Sequence, residues 1–221
     1  MSAIHERVYA SEVRILIADD HEVVRAGLQN ILEIHCNWRI VAAVSNGKEA
    51  LQMAAETNPD IAVIGHPLPL INGIDVTRHI KARLPGTEVL ILTTNQNEML
   101  ITEYLRAGAL AYLLKSDTKL HLIAAVEALA SHKPFFTPQV SEALMHAFTT
   151  RPRNDGVALT SRQRQVLQLI AEGHTNKSAA EILNISIKTV ETHRATVMRK
   201  LNFSSSAALV RYAVRNDLVE L

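Results

Sequence analysis

The residues able to do chemistry fall into two groups, one towards each end of the chain. In the rear third, residues 175–201 read as a short helix, a turn at Asn184-Ile185-Ser186, and a longer helix carrying Lys188, His193, Arg194, Arg199 and Lys200. Cations and hydroxyls on one helix face suit phosphate oxygens. Val190, Val197 and Leu201, spaced seven and four apart, supply an apolar face to hold that helix on its own domain. A second group begins with the adjacent carboxylates Asp19 and Asp20, which repel one another unless a cation intervenes. Thr93 and Lys115 end two further apolar runs. A lone Cys36 and ten scattered histidines, none paired at i, i+4 in one helix, offer no metal-ligand set.

The elements that must position these groups alternate in type. Apolar runs at 14–19, 39–44, 60–64, 89–93 and 111–114 read as strands, and the segments 21–34, 46–57, 74–84, 98–107 and 120–131 as helices. Five such units predict an α/β domain, a five-stranded parallel doubly wound sheet. Functional residues in such sheets sit at the carboxyl ends of strands, so Asp19, Asp20, Gly65, Thr93 and Lys115 should meet on one rim. Behind them, 161–172, 176–183, 187–201 and 205–216 read as an all-α four-helix domain with N-caps at Thr160, Thr175, Ser186 and Ser204. The domains are expected at 12–134 and 157–221, joined by a linker at 135–156 that contains a possible helix at 140–148.

Composition narrows the classes. With 48% apolar and 20% charged residues, the 221-residue chain is globular rather than disordered. One cysteine forms no internal disulfide, which fits a reducing cytosol. Glu6 and Arg7 precede any apolar run, so no secretory leader is read. The longest uncharged apolar stretch, 61–74, has 14 residues and includes Pro67 and Pro69, too few and too broken to span a bilayer. A cytoplasmic protein without membrane contact is expected. Residues 1–148 hold 12 basic against 16 acidic side chains, and 149–221 hold 11 against 6. A basic rear behind an acidic front suits a polyanion partner for the rear domain alone. On pattern alone, the basic helix is either the reading helix of a helix-turn-helix or the solvated face of an ordinary bundle.

A resemblance decides between these. Leu159-Thr160-Ser161-Arg162-Gln163-Arg164-Gln165-Val166-Leu167, Ile170-Ala171-Glu172-Gly173, Thr175-Asn176-Lys177, Ile185-Ser186, Lys188-Thr189-Val190-Glu191-Thr192-His193 and Lys200-Leu201 resemble the LuxR-type DNA-binding domain over about 60 residues. The resemblance makes Thr175, Asn176, Lys177, Lys188, Thr189, His193, Arg194, Arg199 and Lys200 candidate phosphate contacts. Glu191, Thr192 and Ala195 would face base edges, and 207–213 would be a dimerisation helix. One departure is Ser178-Ala179-Ala180, where the family usually has a charged residue and Ile before the Ala.

The front half resembles a response-regulator receiver domain (flavodoxin/CheY-like), and the order of the two modules resembles the NarL/FixJ subfamily. Ala18-Asp19-Asp20-His21 is similar to the acidic pair that helps hold Mg²⁺, Leu92-Thr93 to the switch hydroxyl, Leu113-Leu114-Lys115 to the phosphoryl-contacting lysine, and Tyr112 to the switch aromatic. The family places a nucleophilic, metal-ligating Asp after Pro59-Asp60-Ile61-Ala62-Val63-Ile64, but here the residue is Gly65. The following His66-Pro67-Leu68-Pro69-Leu70-Ile71 also lacks the family's basic residue and glycine. Drift of the whole loop favours a natural pseudo-receiver over an engineered change. Asp60, Asp75 and His66 are the other conceivable acceptors, the first two misplaced along the chain. Asp19 and Asp20 alone make at most a weak Mg²⁺ site. The alternative is a buried ion cluster in which Lys115 pairs with one of them, or a pocket for a small ligand reaching Lys115 and Thr93. The expectation is a promoter-binding transcription regulator, not an enzyme and without cofactor, working as a homodimer without aspartyl phosphorylation. Pairing would use 98–131 or the first and fifth helices. The alternative function is an adaptor whose receiver binds a partner protein or ligand.

Overall fold

The computed structural model describes residues 12–149 and 159–219. In chain order the front domain runs β1 (Val13–Ala18), α1 (Glu22–Leu32), β2 (Trp38–Val44), α2 (Gly47–Thr57), β3 (Ile61–His66), α3 (Gly73–Arg83), β4 (Glu88–Thr93), α4 (Glu98–Ala107), β5 (Ala111–Leu114), α5 (Thr118–Ala130), β6 (Phe135–Phe136) and α6 (Pro138–Thr149). All strand pairs are parallel, in the order β2-β1-β3-β4-β5-β6.

Strand side chains alternate between the two faces, and the sequence can be followed into both cores. Ile15, Ile17, Ile61, Val63, Leu90, Leu92, Ala111 and Leu113 pack under α1 and α5. Their neighbours Leu16, Ala18, Ala62, Ile64, Val89, Ile91, Tyr112 and Leu114 pack under α2, α3 and α4. Burial on both faces is why these strands read as continuous apolar runs. The strand order reverses direction between β1 and β3, and a crevice forms outside the carboxyl ends at such a point. Asp19 follows β1, and Gly65 is the penultimate residue of β3.

Two features of the front half depart from expectation. The sheet has six strands, not five: Phe135 and Phe136 pair alongside Ala111 and Tyr112. A two-residue strand after Pro134 is too short to leave any periodicity. Residues 135–149 are not linker either, because α6 packs along α4 and β6 extends the sheet. The remainder of the expected linker, 150–156, lies outside the described residues.

The rear domain consists of α7 (Ser161–Ala171), α8 (Asn176–Leu183), α9 (Ile187–Lys200) and α10 (Ser206–Arg215) around a separate core. Val190 and Val197 are fully buried in it and Leu201 packs against it. Thr160, Thr175 and Ser186 cap their helices, Thr160 in a reciprocal capping box with Gln163. The last helix is capped by Ser205 rather than Ser204. Gly173, at φ +90, takes the left-handed conformation that ends α7. Leu70 of the front domain packs into the rear core, so the two domains are docked. No helix among the described residues is long and apolar enough to cross a membrane.

Candidate functional site

The rim of the sheet gathers Asp19, Lys115 and Gly65. The Asp19 side chain is 1% exposed, and its Oδ2 lies 2.9 Å from Lys115 Nζ. Oδ2 has no hydrogen bond of good geometry, so this contact is an ion pair, while Oδ1 accepts from Lys115 Nζ at 3.2 Å and from the His21 amide at 3.0 Å. Asp20 turns instead to His21 Nδ1 at 2.7 Å. Arg25 Nη1 donates to the carbonyls of both aspartates, which fixes the loop between β1 and α1. Asp19, Asp20 and His21 together form a small group of potential metal ligands. The sequence marks His21 only as the neighbour of the acidic pair, since a lone histidine beside two acids has no ligand spacing of its own.

At Gly65 the backbone lies so close to β1 that a Cβ would stand 2.5 Å from Asp19 Oδ2 and 3.1 Å from the Ala18 carbonyl oxygen. The Asp19 carboxylate therefore occupies the space that any side chain at 65 would need. One residue further on, the His66 side chain lies on the opposite face, 2% exposed, with Nδ1 hydrogen-bonded to the Tyr104 hydroxyl at 2.8 Å. Burial, reinforced by the Lys115 charge and opposed by a bond to the Asp217 backbone, lowers its pKa to about 4. His66 is thus a neutral core histidine.

Thr93 and Tyr112 are fully buried and meet at a residue the sequence did not single out. The Asn95 amide donates to Thr93 Oγ1 at 3.0 Å, its carbonyl accepts from Tyr112 Oη at 2.8 Å, and its side chain donates to Asp217 Oδ2 at 2.5 Å. Asn95 sits among turn-forming residues that read only as loop, and Asp217 is 122 residues away, so no local pattern could have revealed the link.

The second site is the outer face of α9. Lys188, Glu191, Thr192, Ala195 and Arg199 are exposed, at spacings of 3, 1, 3 and 4, which lay one stripe along the helix. Among the described residues the Lys188, Glu191 and Arg199 side chains engage no other side chain, and Lys177 is also exposed. The other candidates have internal work. Arg194 donates to Asn176 Oδ1 at 3.1 Å and Ser206 Oγ at 2.9 Å, tying α8, α9 and α10 together. Lys200 donates to Gln163 Oε1 at 3.1 Å. Thr175 and Thr189 belong to the caps of α8 and α9, and His193 is half-buried. At the start of α8, Thr175, Asn176 and Lys177 present a helix N-terminus, a natural seat for a phosphate.

The family model described as response regulator receiver domain matches residues 15–127, and that described as bacterial regulatory proteins, luxR family, matches residues 157–213. The oxygen regulatory protein NreC of Staphylococcus epidermidis is 35% identical over 217 residues, spanning 94% of this chain and 100% of its own. LiaR of Bacillus subtilis is 33% identical over 213 residues, spanning 94% of this chain and 99% of its own. A solved structure of RcsB from Salmonella typhimurium superposes with a TM-score of 0.58 at 25% identity over 93% of this chain and 100% of that one. An RcsB–DNA complex gives the same TM-score and identity over 91% and 98%. With both of its domains matched, and relatives of such identity along nearly their whole length, the chain belongs to the NarL/FixJ-type response regulators, two-component transcription regulators that join a receiver to a LuxR-type DNA-binding domain.

Proposed function

We propose that this protein is a sequence-specific promoter-binding regulator whose receiver works without aspartyl phosphorylation. The observation that carries the reading is the closed end of β3, where Gly65 offers no nucleophile and Asp19, paired with Lys115, fills the space beside it. The alternatives fail on placement. Asp60 stands before β3 and accepts from the Arg14 amide at 2.7 Å, Asp75 is buried in α3, and His66 is sealed in the core. The residues present also do not fit Mg²⁺, which needs near-octahedral oxygen ligation. The Lys115 ammonium occupies the Asp19 carboxylate, Asp20 is held by His21, and position 65 supplies no oxygen.

On the DNA side, the α9 stripe enters the major groove. Lys188 and Arg199, with Lys177 from α8, meet phosphates, and Glu191, Thr192 and Ala195 face base edges. Glu191 suits a cytosine amino group. The contributions of Arg194 and Lys200 are to hold the helices in place as well as to add positive charge. Two copies acting together would read a two-fold half-site pair, as RcsB dimers are seen on DNA in a solved complex. The α4–β5–α5 surface is partly covered by α6 and β6, which favours pairing through α1 and α5, where Val23 and Leu120 are exposed.

The test is binding of the purified full-length protein to fragments of its own genome at two salt concentrations, with and without acetyl phosphate and Mg²⁺. Specific binding indifferent to the phosphodonor is expected. Binding that appears only with the phosphodonor would overturn the phosphorylation-independent reading.

A further inference from the structure

The loop after β3 lacks the family's phosphorylation residues, yet it is engaged by side chains from the other domain. Gln168 of α7 donates to the Leu68 carbonyl at 2.9 Å, and the Leu70 amide donates to both Glu172 carboxylate oxygens at 3.2 Å. Asn72 caps α3 and holds Asp75, whose carboxylate accepts from Ser161 Oγ at 2.5 Å and Gln165 Nε2 at 2.8 Å. Arg164 makes a two-pronged bond to Glu103 of α4 at 2.6 and 3.2 Å. Beyond α10, Asp217 reaches Asn95. Ser161, Arg164, Gln165, Gln168 and Glu172 form one stripe down α7, and Gln168 is wholly buried by this contact.

The other side of the rear domain is left open. Among the described residues the polar contacts across the seam come from α7 and from Asp217, none from α8 or α9, and the α9 stripe stays exposed. We propose that the loop at residues 66–72, with Asp75 and Glu103, is a docking surface for α7, and that the docked molecule is itself competent to bind DNA. The claim of DNA competence rests on the regulator reading above. Docking here braces the reading helix outward instead of masking it. The seam adjoins the rim of the receiver: Asp20, Pro67, Leu68 and Pro69 line one cavity with Glu172, Leu218 and Val219 of the effector domain.

The experiment compares the full-length protein with two sets of variants, one on each side of the seam: Asn95→Ala with Glu103→Ala, and Gln165→Ala with Glu172→Ala. Amide hydrogen exchange at Leu70 and small-angle X-ray scattering report docking, and operator affinity is measured in parallel. Both variant sets should lose protection at Leu70 and increase in radius of gyration, and neither should bind operator more tightly than the parent. In the parent, protection at Leu70 should persist when DNA is bound. Threefold or greater tightening in both sets, or loss of Leu70 protection on DNA binding, would overturn the proposal in favour of a masking role. Unchanged exchange and scattering in both sets would show that these contacts do not hold the domains together. If no form binds any DNA, the regulator reading fails and the competence claim with it, while the exchange data still decide the docking claim.

Discussion

The rim of the receiver sheet and the outer face of α9 are both built from charged residues, yet they hold their charges in opposite ways. On the rim the polar side chains engage one another: Lys115 pairs with Asp19, His21 bonds to Asp20, and Arg25 donates to the carbonyls of both aspartates. On α9, Lys188, Glu191 and Arg199 project to solvent in one row, with no side-chain partner among the described residues. A cluster that satisfies itself around a buried carboxylate contributes to the fold and leaves little of that carboxylate for a ligand. A row left unsatisfied at helical spacing is available to a partner of complementary charge.

The contrast can be broken most forcefully at Lys115. Replacing it with Met leaves a buried, unpaired Asp19 carboxylate, at an expected cost of about 3–5 kcal/mol in urea denaturation. The double variant Asp19→Asn with Lys115→Met should recover most of that loss. If Lys115→Met instead leaves stability unchanged, the rim is not a structural ion cluster. His66 offers a pH-dependent counterpart. The folded protein keeps it neutral down to about pH 4, whereas an unfolded imidazole protonates near pH 6.5. Its contribution is therefore complete above about pH 6.5 and is lost as pH falls towards 4, by up to about 3 kcal/mol. A His66→Gln variant should show a shallower decline over that window in parallel denaturation curves.

Smaller effects sharpen the other side. Glu191→Ala should change preference at one base pair by about 1–3 kcal/mol, read by competition with single-base operator variants. Lys188→Ala combined with Arg199→Ala should weaken all sequences alike and lower the salt slope of binding by about 2. Uniform weakening from Glu191→Ala would mean that this residue does not face bases. The smallest effect is expected from Gly65→Asp, which should remain poorly labelled by acetyl phosphate. Its new side chain must displace Asp19, and the loop after it is engaged by α7. Rapid stoichiometric labelling would refute this.

Much of the architecture was legible because its cause is local. The continuous apolar runs of β1, β3 and β4 follow from burial on both faces, and Thr160, Thr175 and Ser186 announce helix starts by a hydroxyl placed to accept an amide. Val190 and Val197 mark the inner face of α9 by spacing alone, and the same spacing turns Lys188, Glu191 and Arg199 outward. Strand β6 leaves no signal because two residues carry no period, and the possible helix at 140–148 gives no sign of where it packs because its partner, α4, is some forty residues away. The glycine at 65 could be read from the string of residues, but not that the Asp19 carboxylate occupies the space beside it.

By itself, then, the sequence determined the two domain types, the charge split between them, the residues of the two candidate sites and the side of each helix that faces inward, from composition, resemblance and patterns one or two turns long. Only the tertiary structure decided which of Asp19 and Asp20 pairs with Lys115, and that Arg194 is a tie between helices as well as a cation. It alone revealed that Gln165, Gln168 and Glu172 are covered by the receiver, at Asp75 of α3 and at the loop after β3. The physical reason is range. Periodicity and capping are set by backbone geometry over one or two turns, whereas a salt bridge across 96 residues or a seam across 102 exists only once separate elements have packed.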